Sequence, residues 1–223
     1  MRVMVGNWRR QSATNHQPPS TFQENTMSTP TAVATPTKHP PKLSPKLITG
    51  EELYAMGDIG PSELVKGEIK YLMPTGHPHG YFESLIAFFL TMFVREHKLG
   101  RVLTGEVGIY TGRKPDTVRA ADVIFISDER FRQVRSAGYL DVAPELVVEV
   151  MSPDNTWSEV QKKLAEYFAV NVLMVWVVDP QLEQVHVYRS PEQMKLLRKE
   201  DRLTGDDVLP GFQVALAEIF TAE

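Results

Sequence analysis

The stretch "ELVVEVMSPDNTWSEVQKKLAEYFAVNVLMVWVVD", residues 145–179, decides the fold. Both of its ends are runs of β-branched and other apolar residues, which is typical of strands buried on both faces. Between the two runs, Thr156 and Glu159 have the spacing of a capping box, and this predicts a helix over 157–169. A strand, a helix and a strand in this order favour a parallel strand pair, so the stretch predicts an α/β fold.

Further predicted elements surround this unit on both sides, and together they indicate a mixed sheet flanked by helices. A long helix is expected from the apolar residues that recur every three or four positions between Phe82 and Val94, with Gly100 as its stop. The other predictions are a short helix at 49–56, a strand at 64–73, a turn at 74–80, strands at 101–111 and 118–127, and a final strand at 183–189.

The length and composition predict one folded domain and a tail. A chain of 223 residues with 42% hydrophobic residues can bury one substantial core. Residues 1–45 are crowded with Pro, Thr, Ser, Asn and Gln, a composition that does not offset chain entropy, and we expect a disordered tail there. The domain is then 46–223. Met27 offers an alternative start of translation.

Cysteine content, apolar runs and net charge exclude several classes. The chain has no cysteine, which rules out disulfides and thiolate metal sites and suits a reducing cytoplasm. Its longest apolar stretch, 85–94, is far shorter than the roughly 20 residues of a membrane span. With a net charge of −4 there is no overall basic surface, so nucleic-acid binding would depend on a local basic patch.

Two acidic residues interrupt apolar strands. Glu149 lies within "LVVEV" and Asp122 opens "DVIFI", although burying an unpaired charge costs several kcal/mol. Strand alternation places Asp122 on the face of Ile124, and Glu149 on the face of Val147. If the strands are neighbours, the carboxylates converge, and a cation between them makes the pair stable. Oxygen ligands without cysteine favour Mg²⁺ or Mn²⁺.

A lysine in the 157–169 helix completes this set. At about 100° per residue, Lys163 lies on the flank of the apolar face, whereas Lys162 lies on nearly the opposite side and should be solvated. The alternative is an ordinary lysine that lies along the apolar border with its head in water. Two acids and a lysine near a sheet edge are the groups that metal-assisted phosphodiester hydrolysis requires.

Several of these runs resemble a known family. The segments "VRAADVIFIS", "APELVVEVMSP", "SEVQKKLAEYFAVNVLMVWVVDP", "VHVYR" and "DDVLPGFQVALAEIF" are similar to the Uma-type restriction endonucleases, a bacterial family of the PD-(D/E)XK nuclease superfamily. The resemblance covers roughly residues 47–221 and is most specific over 145–180. It implies a restriction-endonuclease-like α/β core and Mg²⁺-dependent cleavage of DNA.

The resemblance also assigns residues. The two acids of the superfamily pattern match Asp122 and Glu149. The usual lysine two positions after the second acid is replaced by Met151, and the matching lysine of this family is Lys163, in agreement with the helical-face argument. The proline that normally precedes the first acid is Ala121 here.

The segment "KGEIKYLMPTGHPHGYFESL" resembles an early segment of the family and adds weaker candidates. Glu68 would contribute a further carboxylate to the metal or the attacking water, and His79 would contact phosphate or move a proton. The alternatives are a solvent-facing strand acid and a histidine that caps the helix. Glu83, on the flank of the long helix, is a further acidic candidate.

Three more side chains are ambiguous from sequence alone. Arg119 would meet phosphate or be a solvated cation at a strand end. Trp157 is a candidate for the rim of the site. Trp176 lies within an apolar strand and is expected in the core.

Three functions remain open at this point. The leading hypothesis is a metal-dependent DNA endonuclease, for which a symmetric homodimer is the simplest route to double-strand cleavage. The second is a non-catalytic relative that binds nucleic acid or protein, which the acidic net charge favours. The third is a hydrolase with a carboxylate pair, such as a glycosidase, which would act without metal and is therefore distinguished by EDTA.

Overall fold

The computed structural model describes residues 46–153 and 155–221, so the predicted tail over 1–45 lies outside the described residues. No helix in the described part is long and apolar enough to cross a membrane. The elements in chain order are α1 (Gly50–Ala55), β1 (Ser62–Val65), β2 (Glu68–Tyr71), α2 (His77–Glu96), β3 (Gly100–Gly112), β4 (Thr117–Ser127), α3 (Asp128–Phe131), β5 (Leu146–Val150), α4 (Trp157–Ala169), β6 (Met174–Asp179), β7 (Gln184–Tyr188), β8 (Met194–Arg198), β9 (Arg202–Gly205), β10 (Leu209–Ala215) and α5 (Leu216–Phe220).

The main sheet has eight strands in the order β2-β1-β4-β5-β6-β7-β8, with β3 as a further partner of β4. The β5–β6 pair is parallel, and α4 connects its two strands. In the described part of the chain, all other pairs between these strands are antiparallel. The predicted mixed α/β sheet is therefore confirmed. Strands β9 and β10 form a separate two-stranded ribbon.

Each face of the sheet packs against a helix. On one face, alternate strand residues such as Val148 and Trp176 form a core with α2, α5 and the β9–β10 ribbon. On the other face, Val147 and Val175 pack against Leu164 of α4. Trp176 is fully buried, as predicted. Because both faces are covered, the central strands are mostly apolar, and the charged residues within β4 and β5 are Arg119, Asp122 and Glu149.

The predicted strand over 64–73 is in fact a hairpin of β1 and β2. Lys66 and Gly67 have φ of 52° and 80°, the positive values that a two-residue turn of this kind requires at both positions. The turn reverses the chain within the segment that was expected to be continuous, so β2 becomes the outer strand and β1 the one that reaches β4.

The boundaries of α2 also differ from the prediction. The helix begins at His77, inside the segment expected to be a turn, because Gly76 takes the extended cap position and Pro78 lies in the first helical turn, where its missing N–H is not needed. It ends at Glu96, and Gly100 begins β3 instead of stopping the helix. Three strands follow β7, so that strand is not the final one.

Candidate active site

The candidate site lies at an interruption in the pairing of β4. Strand β3 occupies one edge of β4, while β1 and β5 share the other, pairing at Val118 and at residues 123–125. Ala120 lies between these two pairings. Its N–H donates to Glu63 (3.1 Å) and its carbonyl accepts from the Lys163 ammonium (3.1 Å). Since buried backbone groups need partners, the interruption draws a carboxylate and an ammonium to one place.

Lys163 reaches this place from α4, as the helical-face argument predicts. Its Nζ lies 2.9 Å from Glu149 Oε2 and 3.2 Å from Glu63 Oε1, in addition to the Ala120 carbonyl. Lys162 is exposed. Burial works against the charge on Lys163, but Glu149 and Glu63 outweigh it and raise the pKa of Lys163, so the side chain is a cation at neutral pH.

Glu63 is a member of the site that the sequence analysis missed. It is buried and lies across from Arg119, with which it forms an ion pair at 2.7 Å. Burial raises the pKa of Glu63, but the charges of Lys163 and Arg119 outweigh it, and the net pKa is lowered. The predicted strand began one residue later, at Leu64, so this acid was not counted as a strand residue.

Arg119 contacts Glu63 on the side away from Lys163. Its Nε and Nη2 donate to the two carboxylate oxygens of Glu166, at 2.6 and 2.8 Å. Burial lowers the pKa of Arg119, but the hydrogen bonds with Glu166 and Glu63 raise it above its usual range. A chain of charges therefore runs from Glu166 through Arg119 and Glu63 to Lys163.

Glu149 occupies the centre of the site. The Tyr167 hydroxyl donates to its Oε1 (2.6 Å), and Lys163 donates to its Oε2. Burial raises the pKa of Glu149 to about 7; Lys163 and Tyr167 oppose this rise, and the charge of Asp122 adds to it. A carboxyl group that is hard to ionise next to a second acid is a place where an added cation is favourable.

The β4–β5 pairing ends with Val123 opposite Val148. Asp122 is the next residue along β4, so the register places it opposite Glu149. Its Oδ2 accepts from the backbone N–H of Val150 (2.6 Å) and lies 3.3 Å from His79 Nε2. The two acids therefore contact different helices, α2 through Asp122 and α4 through Glu149. The expected face shared with Ile124 is not maintained, because Ile124 packs on the α4 side.

A bulge in β3 explains why the Asp122 side chain contacts α2 instead of sharing the α4 side with Ile124. The β3–β4 register shifts by one residue between Thr104 and Val107, so that Gly105 and Glu106, with φ of 84° and 58°, both lie opposite Asp122. Bulges bend a strand and re-aim neighbouring side chains. Burial and the charges of Asp122 and Glu83 raise the pKa of Glu106, which therefore interacts with the site. The glycine within a predicted strand was the available signal for this bulge.

His79 and Glu83 come from the first turns of α2. His79 is only 8% exposed, and its Nδ1 lies 4.0 Å from Glu83 Oε2 without a hydrogen-bond partner in the described part of the chain. Glu83 accepts from the backbone N–H of Gly105 (3.2 Å). The hydrogen bond with Asp122 raises the pKa of His79 in spite of burial.

Two predicted residues lie apart from this cluster. The structure does not bring Glu68 to it: Glu68 begins the outer strand β2, is exposed, and pairs with Lys70 at 3.0 Å. The hairpin turn is the cause, because it gives the place next to β4 to β1. Trp157 is 41% exposed at the start of α4, where its ring packs against His186 at 4.7 Å.

The residues present suit a divalent cation bound through oxygen. Among the described residues no three His, Asp or Glu side chains form a ready set of ligands, but Mg²⁺ is usually held by one or two carboxylates and several waters. Asp122 and Glu149 supply such a pair. The surroundings are strongly acidic, since two permanent cations, Arg119 and Lys163, face six carboxyl groups: Glu63, Glu83, Glu106, Asp122, Glu149 and Glu166.

The mixed sheet flanked by helices defines a protein of the nuclease-fold class. A model of the Uma2 family, described as "Putative restriction endonuclease", matches residues 51–217, and the chain belongs to this family. The fold is similar to the crystal structure of a putative nuclease belonging to DUF820 from Anabaena variabilis, with a TM-score of 0.65 and 20% identity over 78% of this chain and 97% of that one. A comparison with curated proteins finds no match.

Proposed function

We propose that this protein is a divalent-metal-dependent DNA endonuclease that hydrolyses phosphodiester bonds. The observation that carries the proposal is the Lys163 ammonium 2.9 Å from Glu149, which lies across the strand pair from Asp122. Family membership and the nuclease-like fold support it. Buried acids next to a lysine are costly for a protein that only binds, whereas hydrolysis of a phosphodiester uses both.

In this proposal Asp122 and Glu149 hold Mg²⁺ or Mn²⁺. A divalent ion there would polarise the phosphoryl group and make water a better nucleophile at neutral pH. It would also offset the negative charge of the site. Without the ion, both the acidic site and the net charge of −4 repel the phosphates of DNA.

The other side chains hold these groups in place. Tyr167 fixes one oxygen of Glu149, and Val150 N–H fixes one oxygen of Asp122. His79, when protonated on Nε2, donates to Asp122 and keeps its carboxylate turned toward the end of β5. Lys163 is the cation available to the charge that develops on phosphate, and its own position depends on Glu63.

Cleavage of supercoiled plasmid DNA tests the proposal. We expect nicked or linear product in the presence of Mg²⁺ or Mn²⁺ and none after addition of EDTA. Single-stranded DNA and RNA of matched length, assayed in parallel, define the substrate. Hydrolysis of a glycoside that survives EDTA would instead support a metal-free carboxylate-pair hydrolase, and an absence of cleavage with every substrate and metal would contradict the proposal.

A second candidate function, binding without cleavage, is favoured by one observation. The Lys163 ammonium already donates to Ala120 and Glu149 and lies 3.2 Å from Glu63, as in a lysine with a structural role. In that case DNA would be retained in a gel-shift assay with or without metal, and Asp122→Asn would leave the retention unchanged while no cleavage is seen.

Thermal melting with Mg²⁺ is expected to depend on pH. An ion that binds the folded protein raises the melting temperature, and a carboxyl ligand must lose its proton first. Because the pKa of Glu149 is raised to about 7, the shift caused by Mg²⁺ should be larger at pH 8 than at pH 6, where protonation lowers the affinity by about tenfold. Differential scanning calorimetry measures the shift in melting temperature at both pH values.

Without metal, the stability of the protein should instead fall as the pH rises. With a folded-state pKa above its ordinary 4.5, Glu149 contributes stability that is fully present below pH 4.5 and is lost as the pH rises through about 7. Glu149→Gln is the control, and it should remove the pH dependence of the Mg²⁺ shift. Equal shifts at pH 6 and pH 8 in the wild-type protein would show that Glu149 is not a ligand.

A further inference from the structure

The charged side chains beside Lys163 form a closed ring, here called the charge ring, of Lys163, Glu63, Arg119 and Glu166. Lys163 and Glu166 lie one turn apart on α4. Lys163 lies 3.2 Å from Glu63 on β1. Arg119 on β4 joins the other two members, because it donates to Glu166 through Nε and Nη2, at 2.6 and 2.8 Å, and to Glu63 through Nη1, at 2.7 Å. The ring therefore ties α4 to two strands at the site.

The charge ring decides where the carboxylate of Glu63 points. Its Oε2 accepts from Arg119, while its Oε1 accepts from Ala120 N–H and contacts the Lys163 ammonium. A guanidinium is a planar fork whose donors have fixed directions, whereas an ammonium is a compact charge on a flexible stem. Because Glu166 accepts from Arg119 with both carboxylate oxygens, the plane of the guanidinium is fixed, and so is the carboxylate of Glu63.

The position of the Lys163 ammonium depends in turn on Glu63. Its Nζ contacts two acids, Glu63 at 3.2 Å and Glu149 at 2.9 Å. Since Arg119 shares the charge of Glu63 and holds its other oxygen, Glu63 does not draw the ammonium away from Glu149. The place of Lys163 is therefore set partly by Glu166, which lies on the same helix but acts through residues of two strands.

Arg119 itself is poorly placed to bind phosphate, which is one of the two roles that its sequence position left open. Its side chain is 11% exposed, and two carboxylates balance its charge, so it is not a solvated cation either. Glu166 is also held from β3, because the Thr111 hydroxyl donates to its Oε2 (3.2 Å). Both residues thus act on the site through contacts within the protein.

We propose that Arg119 and Glu166 are positioning residues for the hydrolysis, and that they act through Glu63 to keep the Lys163 ammonium at Glu149. The inference rests on the proposed function, in which Lys163 is the cation that faces the charge developing on phosphate. When Glu166 is neutral, the Arg119 fork loses a carboxylate partner and turns to both oxygens of Glu63. Lys163 then loses its contact with Glu63 and shifts relative to the reacting phosphate.

A purely structural role for the charge ring leads to a different expectation. In that case the ring only joins α4 to the sheet, and its loss lowers the melting temperature while kcat stays unchanged. Glu166→Gln separates the two roles, because Gln has the size of Glu, keeps one oxygen that accepts from Arg119, and replaces a side chain that is 28% exposed. We expect a melting temperature close to that of the wild type and a lower kcat.

Initial rates of Mg²⁺-dependent plasmid nicking over a range of DNA concentrations test the proposal. Glu166→Gln should lower kcat by about 10- to 100-fold and leave KM unchanged, since a displacement of about 1 Å in a catalytic group can cost up to about 100-fold. Glu183→Gln is the matched control and should behave as the wild type, because it neutralises a carboxylate of a different ion pair, with Lys199 at 2.7 Å. A wild-type kcat in Glu166→Gln, or a change in KM alone, would overturn the proposal.

A double substitution tests whether Glu166 acts through Arg119. Arg119→Met should lower kcat at least as much as Glu166→Gln does. The double variant should then lose no more activity than Arg119→Met alone, because two residues in one network do not act independently. Additive losses would show that Glu166 acts by another route and would contradict the proposed chain of contacts.

The ammonium signal of Lys163 gives a readout that does not depend on activity. In nuclear magnetic resonance spectra of the metal-free full chain with isotope-labelled lysine, a buried, hydrogen-bonded ammonium exchanges its protons slowly enough to be observed, and Lys163→Arg assigns the signal by its loss. Glu166→Gln should shift or broaden this signal, and Glu183→Gln should leave it unchanged. The same signal in Glu166→Gln as in the wild type would overturn the proposal. Absence of cleavage by the wild type, together with the expected change in the signal, would contradict the proposed function and still support the positioning of Lys163.

Discussion

Asp122→Asn is expected to lower metal-dependent plasmid cleavage by about 10²- to 10³-fold, the range seen when one preorganised electrostatic group is removed from an active site. Asn has the size of Asp and can still accept the hydrogen bond from Val150 N–H, so the fold should persist. The negative charge that would help to hold the cation is lost. Initial rates of nicking at saturating Mg²⁺ measure the effect.

Glu149→Gln should cause a loss of the same order for the same reason. Glu68→Gln is the control, since Glu68 is an acid of the same segment that the structure leaves exposed and paired with Lys70, and full activity is expected. Circular dichroism of each variant checks that the fold is intact. Cleavage at the wild-type rate by both Asp122→Asn and Glu149→Gln would mean that the nuclease activity resides elsewhere or comes from a contaminant.

Glu63→Ala is expected to have the largest effect on stability. The carboxylate of Glu63 is ion-paired with both Lys163 and Arg119 and accepts from Ala120 N–H, and its removal leaves these groups without their shared partner. Breaking a buried ion pair by removing one member typically costs about 3–5 kcal/mol. Urea denaturation of the wild-type and variant proteins at pH 7 measures the difference in free energy of unfolding.

The pH dependence of this difference provides an internal check. The pKa of Glu63 in the folded protein is below its ordinary 4.5, so its contribution is present above pH 4.5 and is lost as the pH falls through the folded-state value. The destabilisation by Glu63→Ala should therefore shrink in acid. Glu68→Ala, on the exposed strand, should stay within about 0.5 kcal/mol of wild type. A cost below about 1 kcal/mol for Glu63→Ala would contradict the central role given to this ion-pair network.

Sequence patterns determined those parts of the fold and site that depend on neighbours along the chain. The capping box at Thr156 and Glu159 marks the start of α4 because both partners lie within one turn. Helix geometry then separates Lys163 from Lys162, and strand patterns locate Asp122 and Glu149 as acids out of place among apolar residues. The parallel β5–β6 pair follows from the helix that connects them.

Only the tertiary structure decided which acids meet. Glu63 joins the site, and Glu68 does not, because the turn at Lys66 and Gly67 brings β1 to the edge of β4. The direction in which the Asp122 side chain points depends on a bulge in β3, whereas Asp122 itself belongs to β4. Periodicity in a sequence reports local geometry, whereas pairing between strand edges and the irregularities in that pairing are settled by residues far apart in the chain.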